Sequence, residues 1–134
     1  MAKVLVIDDD PAVRTTISIV LKRAGHEVTG ASDGRSGMKA VMAGGIDLLI
    51  ADIFMPVMDG LEMIKEVRRH QPGLPVIVIS GASIFGSSTA PPDFVAMAVS
   101  LGAVRGLRKP FAPGELLAAV NECLGERDRI ASSQ

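Results

Sequence analysis

The chain has 134 residues, enough for one domain with a sizeable core and too few for a second folded domain. Its 14 basic and 15 acidic residues give a net charge of -1, which disfavours binding to nucleic acid or to a membrane surface through a basic field. The single cysteine, Cys123, excludes an internal disulfide and a cysteine-based metal cluster. The apolar run at residues 4–7 is too short for a signal peptide or a membrane span, so we expect a cytoplasmic protein.

The chain begins with a strand and a helix. The β-branched, apolar residues 4–7 predict a buried strand. It ends in three consecutive carboxylates, Asp8, Asp9 and Asp10. A helix is predicted from Pro11, with Asp10 as its cap, until Gly25 ends it. Residues 27–31 alternate as an edge strand does.

The next segments repeat this order. A helix opened by Asp33 carries Met38, Val41 and Met42 and is predicted to end at residues 44–45, which are both glycine. Residues 48–51 are apolar without interruption, which is typical of a strand covered on both faces, and Asp52 follows directly. The third helix has a predicted buried stripe of Leu61, Ile64 and Val67. Its predicted solvated face consists of Lys65, Arg68 and Arg69.

The second half contains two further strands. Residues 76–79 predict a strand that ends at Ser80, followed by a long loop rich in Gly, Ser, Ala and Pro at residues 81–92. Helical spacing returns at residues 94–101. Residues 103–107 predict a fifth strand that leads to Lys109.

A fifth helix is predicted from Pro113 to Gly125. Its buried stripe is expected to consist of Leu116, Leu117, Val120 and Leu124. We therefore expect a domain of residues 1–125 and a polar C-terminal tail of residues 126–134.

Strict alternation of five strands with helices predicts an α/β fold, in which helices cover both faces of a parallel sheet. The carboxyl ends of parallel strands lie along one edge of the sheet. This edge would bring together five side chains, those of Asp8, Asp9, Asp52, Ser80 and Lys109.

Three carboxylates at one edge repel one another, by about 4 kcal/mol per pair at about 4 Å and an effective dielectric near 20. A hard cation such as Mg²⁺ prefers oxygen ligands, and its charge together with that of Lys109 offsets the three negative charges. Such a pocket suits a phosphoryl group, with a carboxylate as nucleophile and Ser80 as a hydrogen-bond donor.

Four segments of the chain resemble the receiver domains of bacterial two-component response regulators, over residues 3–124. In chain order they read VLVIDDDP, DLLIADIFMPVMDGLEMIKEVR, VIVIS and LRKPF. The resemblance implies a flavodoxin-like, doubly wound, five-stranded sheet of strand order 2-1-3-4-5.

The resemblance also implies roles for individual residues. Asp52 would be the phosphoacceptor, Ser80 the switch hydroxyl, Lys109 the phosphate partner and Pro110 a candidate for a cis peptide bond. The Mg²⁺ ligands would be Asp8, Asp9, Asp52 and the backbone carbonyl of Phe54.

By the same resemblance, the protein would be a signalling phosphoacceptor that catalyses its own phosphoryl transfer and dephosphorylation. Its expected partners are a sensor histidine kinase or a histidine phosphotransfer protein, and a downstream protein that the sequence does not name. No direct contact with nucleic acid or membrane is expected. A homodimer through the fourth and fifth predicted helices is left open.

Two departures from the family's sequence pattern leave a second class of function open. Gly106 stands where the family often has an aromatic residue, and the loop at residues 81–92 is longer than is usual. A phosphorylation-independent interaction module is therefore the alternative.

A hydrolase of the haloacid dehalogenase type is disfavoured because Phe54 stands where its second aspartate would be expected. A dinucleotide-binding enzyme is disfavoured because the first strand leads into Asp-Asp-Asp-Pro rather than a glycine-rich turn.

Overall fold

The computed structural model describes residues 2–52, 60–80, 105–108 and 111–132. In these ranges the strands are β1 (Lys3–Ile7), β2 (Glu27–Ala31), β3 (Leu48–Asp52), β4 (Val76–Ser80) and β5 (Arg105–Arg108). The helices are α1 (Pro11–Arg23), α2 (Gly34–Ala43), α3 (Gly60–His70) and a C-terminal helix (Pro113–Ser132). The predicted loop at residues 81–92 and the predicted helix at residues 94–101 lie outside the described residues.

The five strands form one parallel sheet in the order β2-β1-β3-β4-β5, which confirms the predicted doubly wound arrangement. Ile7 of β1 is level with Ala51 of β3, and Asp52 is level with Ile79 of β4. Because all five strands run in the same direction, their carboxyl ends share one edge of the sheet. Open α/β sheets bind their ligands at that edge.

The two faces of the sheet bury separate apolar clusters. Leu5 and Ile7 of β1 pack on the face that α2 and α3 cover, whereas Val4 and Val6 pack on the face that α1 and the C-terminal helix cover. This division follows from the alternation of side chains along a strand. The central strand β3 is buried along its whole length, as its uninterrupted apolar sequence predicts. Helices on both faces are therefore confirmed.

Both predicted caps at the starts of α1 and α2 are confirmed. The carboxylate of Asp10 accepts a hydrogen bond of 2.9 Å from the main-chain N–H of Ala12. Asp33 accepts one of 2.8 Å from the N–H of Ser36, and this bond holds the pKa of Asp33 below its usual value because it favours the charged carboxylate. Gly25, with a φ of 95°, follows the end of α1 as predicted.

The C-terminal helix does not end at Gly125, as the sequence suggested, but continues to Ser132. A glycine inside a helix costs only about 1 kcal/mol relative to alanine, and no proline follows it to stop the helix. The segment expected to be a polar tail is thus helical through residue 132, and the domain boundary at residue 125 stays a prediction. Within the described ranges, no helix combines the length and the apolar character that crossing a membrane requires.

Two side chains differ in exposure from what the sequence pattern suggested. Met42, one of the three apolar residues whose spacing predicted α2, is 56% exposed. Arg68, predicted on the solvated face of α3, is half-buried, and its Nη1 donates to the carbonyl oxygens of Leu74 at 2.6 Å and Pro72 at 3.1 Å. These bonds tie the end of α3 to the segment that enters β4. Burial lowers the pKa of Arg68.

Gly37 allows α2 to lie close to β1. A Cβ atom at Gly37 would overlap Cδ1 of Ile7, and would lie 2.8 Å from Cγ1 of Ile7 and 3.2 Å from Cε of Met63. Since Ile7 immediately precedes Asp8, this contact also supports the edge of the sheet where the carboxylates lie.

We predict that Gly37→Ala lowers the free energy of unfolding by about 1–3 kcal/mol, because a methyl group must be forced into a filled space. Urea denaturation followed by circular dichroism measures this loss. Gly125→Ala is the matched control. Among the described residues, apart from its chain neighbours and the adjoining helix backbone, no atom lies within 4 Å of a Cβ there, so this change should be neutral or stabilise the helix by up to about 1 kcal/mol. A Gly37→Ala variant as stable as the wild type would contradict the close approach.

Candidate metal centre

The pairing of β1 with β3 sets two carboxylates side by side. Ile7 of β1 is level with Ala51 of β3. Asp8 directly follows Ile7, and Asp52 directly follows Ala51. Asp9 follows Asp8. One ligand oxygen from each of Asp8, Asp9 and Asp52 lies within 4.8 Å of the other two.

Two of these three carboxylates are buried. Asp8 is 1% exposed and Asp52 is 6% exposed, whereas Asp9 faces solvent. At 4.8 Å and an effective dielectric near 20, each pair of negative charges costs roughly 3.5 kcal/mol. A group of oxygen ligands that repel one another in this way fits a hard divalent cation such as Mg²⁺. In the part of the chain that the structure describes, no second group of three acidic, histidine or cysteine side chains is close enough to hold a metal ion.

Asp8 is fixed by hydrogen bonds from three directions. Its main-chain N–H donates to the carbonyl oxygen of Ala31 in β2 at 3.1 Å. Its Oδ1 accepts from the N–H of Asp10 at 2.9 Å, and its main-chain carbonyl accepts from Nη1 of Arg14 at 2.6 Å. The loop between β1 and α1 is therefore held in one geometry by the protein itself.

The other predicted site residues fall into two groups. Ser80 is the last residue of β4, one position beyond Ile79, which is level with Asp52, so its main chain lies at the same edge of the sheet. Phe54, Lys109 and Pro110 lie outside the described residues. Three of the predicted site residues, Asp8, Asp9 and Asp52, thus lie together in the structure, and the roles assigned to all the site residues stay predictions.

Gly106 lies in β5, level with Val78 of β4. The strand extends to Arg108, one residue further than predicted, and residues 103–104 of the predicted strand lie outside the described part of the chain. The register confirms that β5 carries a glycine, with no side chain, at this level of the sheet.

Sequence reasoning missed Arg14. Side chains on a helix are tilted toward its N-terminus, so a long side chain one turn after the cap covers the loop that precedes the helix. Arg14 stands four residues after Asp10, and this spacing is the signal that would have found it.

A family model described as the response regulator receiver domain matches residues 4–121. The chain belongs to this receiver domain family. The assignment confirms the resemblance inferred from the four sequence segments, and it places the chain among the proteins of two-component systems.

Relatives of this receiver domain include longer regulators. The DNA-binding transcriptional regulator NtrC of Bradyrhizobium sp. (strain RP501 Parasponia) is 34% identical over 130 residues, which are 96% of this chain and 26% of NtrC. The alkaline phosphatase synthesis transcriptional regulatory protein PhoP of Bacillus subtilis is 30% identical over 130 residues, which are 97% of this chain and 51% of PhoP. The chain therefore spans about a quarter of the length of NtrC and about half of the length of PhoP.

Solved receiver structures share the fold. The crystal structure of a response regulator receiver domain protein from Clostridium thermocellum superposes with a TM-score of 0.85 at 29% sequence identity. The match covers 97% of this chain and 99% of that one.

We predict that Asp52→Asn raises the free energy of unfolding in metal-free buffer by about 1–3 kcal/mol, because it removes one of three mutually repelling charges. Added Mg²⁺ should stabilise the wild type, by about 2.7 kcal/mol when its concentration is 100 times the dissociation constant, and should stabilise the variant much less. Chemical denaturation with and without Mg²⁺ measures both effects.

Asp47→Asn is the matched control, because Asp47 is a half-buried aspartate at the opposite end of β3, where it accepts a hydrogen bond from the N–H of Lys3. Its Mg²⁺ response should equal that of the wild type. An Asp52→Asn variant that responds to Mg²⁺ as the wild type does would exclude Asp52 from the metal centre.

Proposed function

We propose that this receiver domain accepts a phosphoryl group on Asp52 in a Mg²⁺-dependent reaction. The donor would be a phosphohistidine of a sensor histidine kinase or of a histidine phosphotransfer protein. The observation that carries the proposal is the group of three carboxylates at the end of β1 and β3, with Asp52 on the rigid end of a fully buried strand. Phosphoryl transfer depends on such positioning and on stabilisation of charge.

In the proposed metal centre, Asp8, Asp9 and Asp52 would hold Mg²⁺, and the main-chain carbonyl of Phe54 would be a further ligand. The bound ion supplies positive charge against the carboxylates and against the phosphoryl oxygens. The N–H of Asp10 donates to the carboxylate of Asp8, and the guanidinium of Arg14 donates to the main-chain carbonyl of Asp8, so both the side chain and the backbone of Asp8 are held in place.

In the forward reaction, a carboxylate oxygen of Asp52 forms a bond to phosphorus while the bond between phosphorus and the donor nitrogen breaks. The electron pair of that bond stays on the donor imidazole, which takes up a proton. The hydroxyl of Ser80 and the ammonium group of Lys109 would contact the phosphoryl oxygens.

Dephosphorylation would follow when water attacks phosphorus, which releases inorganic phosphate and restores the Asp52 carboxylate. We therefore propose a signalling phosphoacceptor that catalyses its own phosphoryl transfer and dephosphorylation and does not convert a separate substrate. The phosphorylated and unphosphorylated forms would favour two conformations with different affinities for a downstream protein. A cytoplasmic site of action agrees with a chain whose single cysteine, Cys123, is buried in the core.

Incubation with Mg²⁺ and a small-molecule phosphodonor should add one phosphoryl group to the intact protein, detected by mass spectrometry. Peptide mapping should place the group on Asp52, and hydroxylamine should remove it, because an acyl phosphate is an activated carboxyl group. Asp52→Asn should abolish the mass gain, and chelation of Mg²⁺ should reduce it to background. Asp47→Asn, which changes the residue just before the start of β3, should be modified as the wild type is.

Absence of a mass gain in a folded wild-type protein would refute phosphoryl acceptance. A gain that persists in Asp52→Asn would assign the acceptor to another residue. Circular dichroism of each variant excludes loss of the fold as the cause.

A further inference from the structure

We propose that Arg14 is a positioning residue for the metal centre, whose guanidinium holds the loop between β1 and α1 in the geometry that presents Asp8 and Asp9. This inference deepens the function proposed above and rests on it. Arg14 lies in α1, outside the ligand group, and acts through the main chain of that loop.

The first observation is that both the side chain and the main chain of Arg14 donate hydrogen bonds to the loop between β1 and α1. Its Nη1 lies 2.6 Å from the carbonyl oxygen of Asp8, at the short end of hydrogen-bond distances, as is typical of a charged donor. Its main-chain N–H donates to the carbonyl oxygen of Asp10 at 3.1 Å. The side chain therefore connects the first turn of the helix back to the end of β1.

The second observation is the path of the Arg14 side chain. A Cβ atom at Gly30 of β2 would lie 3.6 Å from Cδ and 3.8 Å from Nε of Arg14, so the side chain passes over the backbone of β2. The neighbouring residue, Ala31, accepts the main-chain N–H of Asp8. The side chain of Arg14 thus runs from α1 past β2 to the end of β1, next to the first of the proposed metal ligands.

The charge of Arg14 by itself would act against the proposed site. A guanidinium near a cation site repels the cation, so a residue that acted only through its charge would weaken Mg²⁺ binding. A residue that acts by positioning the ligands strengthens Mg²⁺ binding, as hydrogen-bond partners of metal ligands do in other sites. The two roles predict opposite changes in affinity when Arg14 is replaced.

The test measures the Mg²⁺ dissociation constant by titration calorimetry in wild type, Arg14→Lys and Arg14→Met. Lysine keeps the charge but lacks the planar fork of guanidinium donors, and methionine keeps an apolar stem without charge or donor. We expect Arg14→Met to weaken Mg²⁺ binding about 10-fold or more, and Arg14→Lys to weaken it as well.

Arg68→Met is the matched control. Arg68 is also half-buried and also donates from Nη1 to a main-chain carbonyl at 2.6 Å, but it does so beside Leu74, before β4, at the opposite edge of the sheet. Its loss should lower stability in a similar way and leave the Mg²⁺ dissociation constant unchanged.

Hydrogen exchange in metal-free protein tests the same role without the ion. The amide of Asp10, which donates to Oδ1 of Asp8, should exchange faster in Arg14→Met than in wild type or Arg68→Met. Hydrogen exchange therefore tests the positioning role of Arg14 separately from the proposed Mg²⁺-dependent phosphorylation. If the wild type fails to bind Mg²⁺, the metal-dependent function is refuted, while faster exchange at Asp10 still supports the positioning role.

Three results would overturn the inference. One is unchanged exchange at Asp10 in Arg14→Met. Another is tighter Mg²⁺ binding by Arg14→Met with wild-type binding by Arg14→Lys, which would assign Arg14 a purely electrostatic effect. The third is an equal weakening of Mg²⁺ binding in Arg14→Met and Arg68→Met, which would reflect general destabilisation of the fold.

Discussion

The parallel pairing of β1 with β3 is the constraint on which the site depends. It sets Ile7 level with Ala51, so the residues that follow them, Asp8 and Asp52, lie close together at the end of two buried strands. Both carboxylates are almost fully removed from water, and Asp9 adds a third negative charge from the solvent side. Buried like charges are retained in a fold only where something offsets them. The conflict between backbone pairing and charge repulsion explains why this edge of the sheet is suited to a cation.

The rest of the fold keeps that edge rigid. Apolar clusters on both faces of the sheet hold β1 and β3 in register, and Gly37 lets α2 pack directly against Ile7, the residue before Asp8. After the loop between β1 and α1, Asp10 caps the start of α1, and Arg14 in the first turn donates a hydrogen bond to the main-chain carbonyl of Asp8. The loop that carries Asp8 and Asp9 is thus supported by packing from one side and by hydrogen bonds from the other.

Much of this arrangement follows from the sequence, because it depends on periodic signals. The buried strand at residues 48–51, the helix cap at Asp10 and the meeting of Asp8 with Asp52 all follow from strand and helix patterns and from parallel order. The continuation of the last helix past Gly125 did not follow, because it depends on a competition of about 1 kcal/mol. The hydrogen bonds of Arg14 and Arg68 were missed for another reason. Both donate to main-chain carbonyls, which every residue has, so the sequence shows only where the donor stands, as it does for Arg14 one turn after the cap Asp10.

The most direct test of the central claim is a crystal structure with Mn²⁺ in place of Mg²⁺, in which anomalous scattering locates the ion without ambiguity. The account predicts one strong peak at the carboxyl edge of the sheet, within ligand distance of carboxylate oxygens from both the β1–α1 loop and Asp52. A peak elsewhere on the protein, or the same carboxylates facing one another with no ion between them at saturating Mn²⁺, would contradict it.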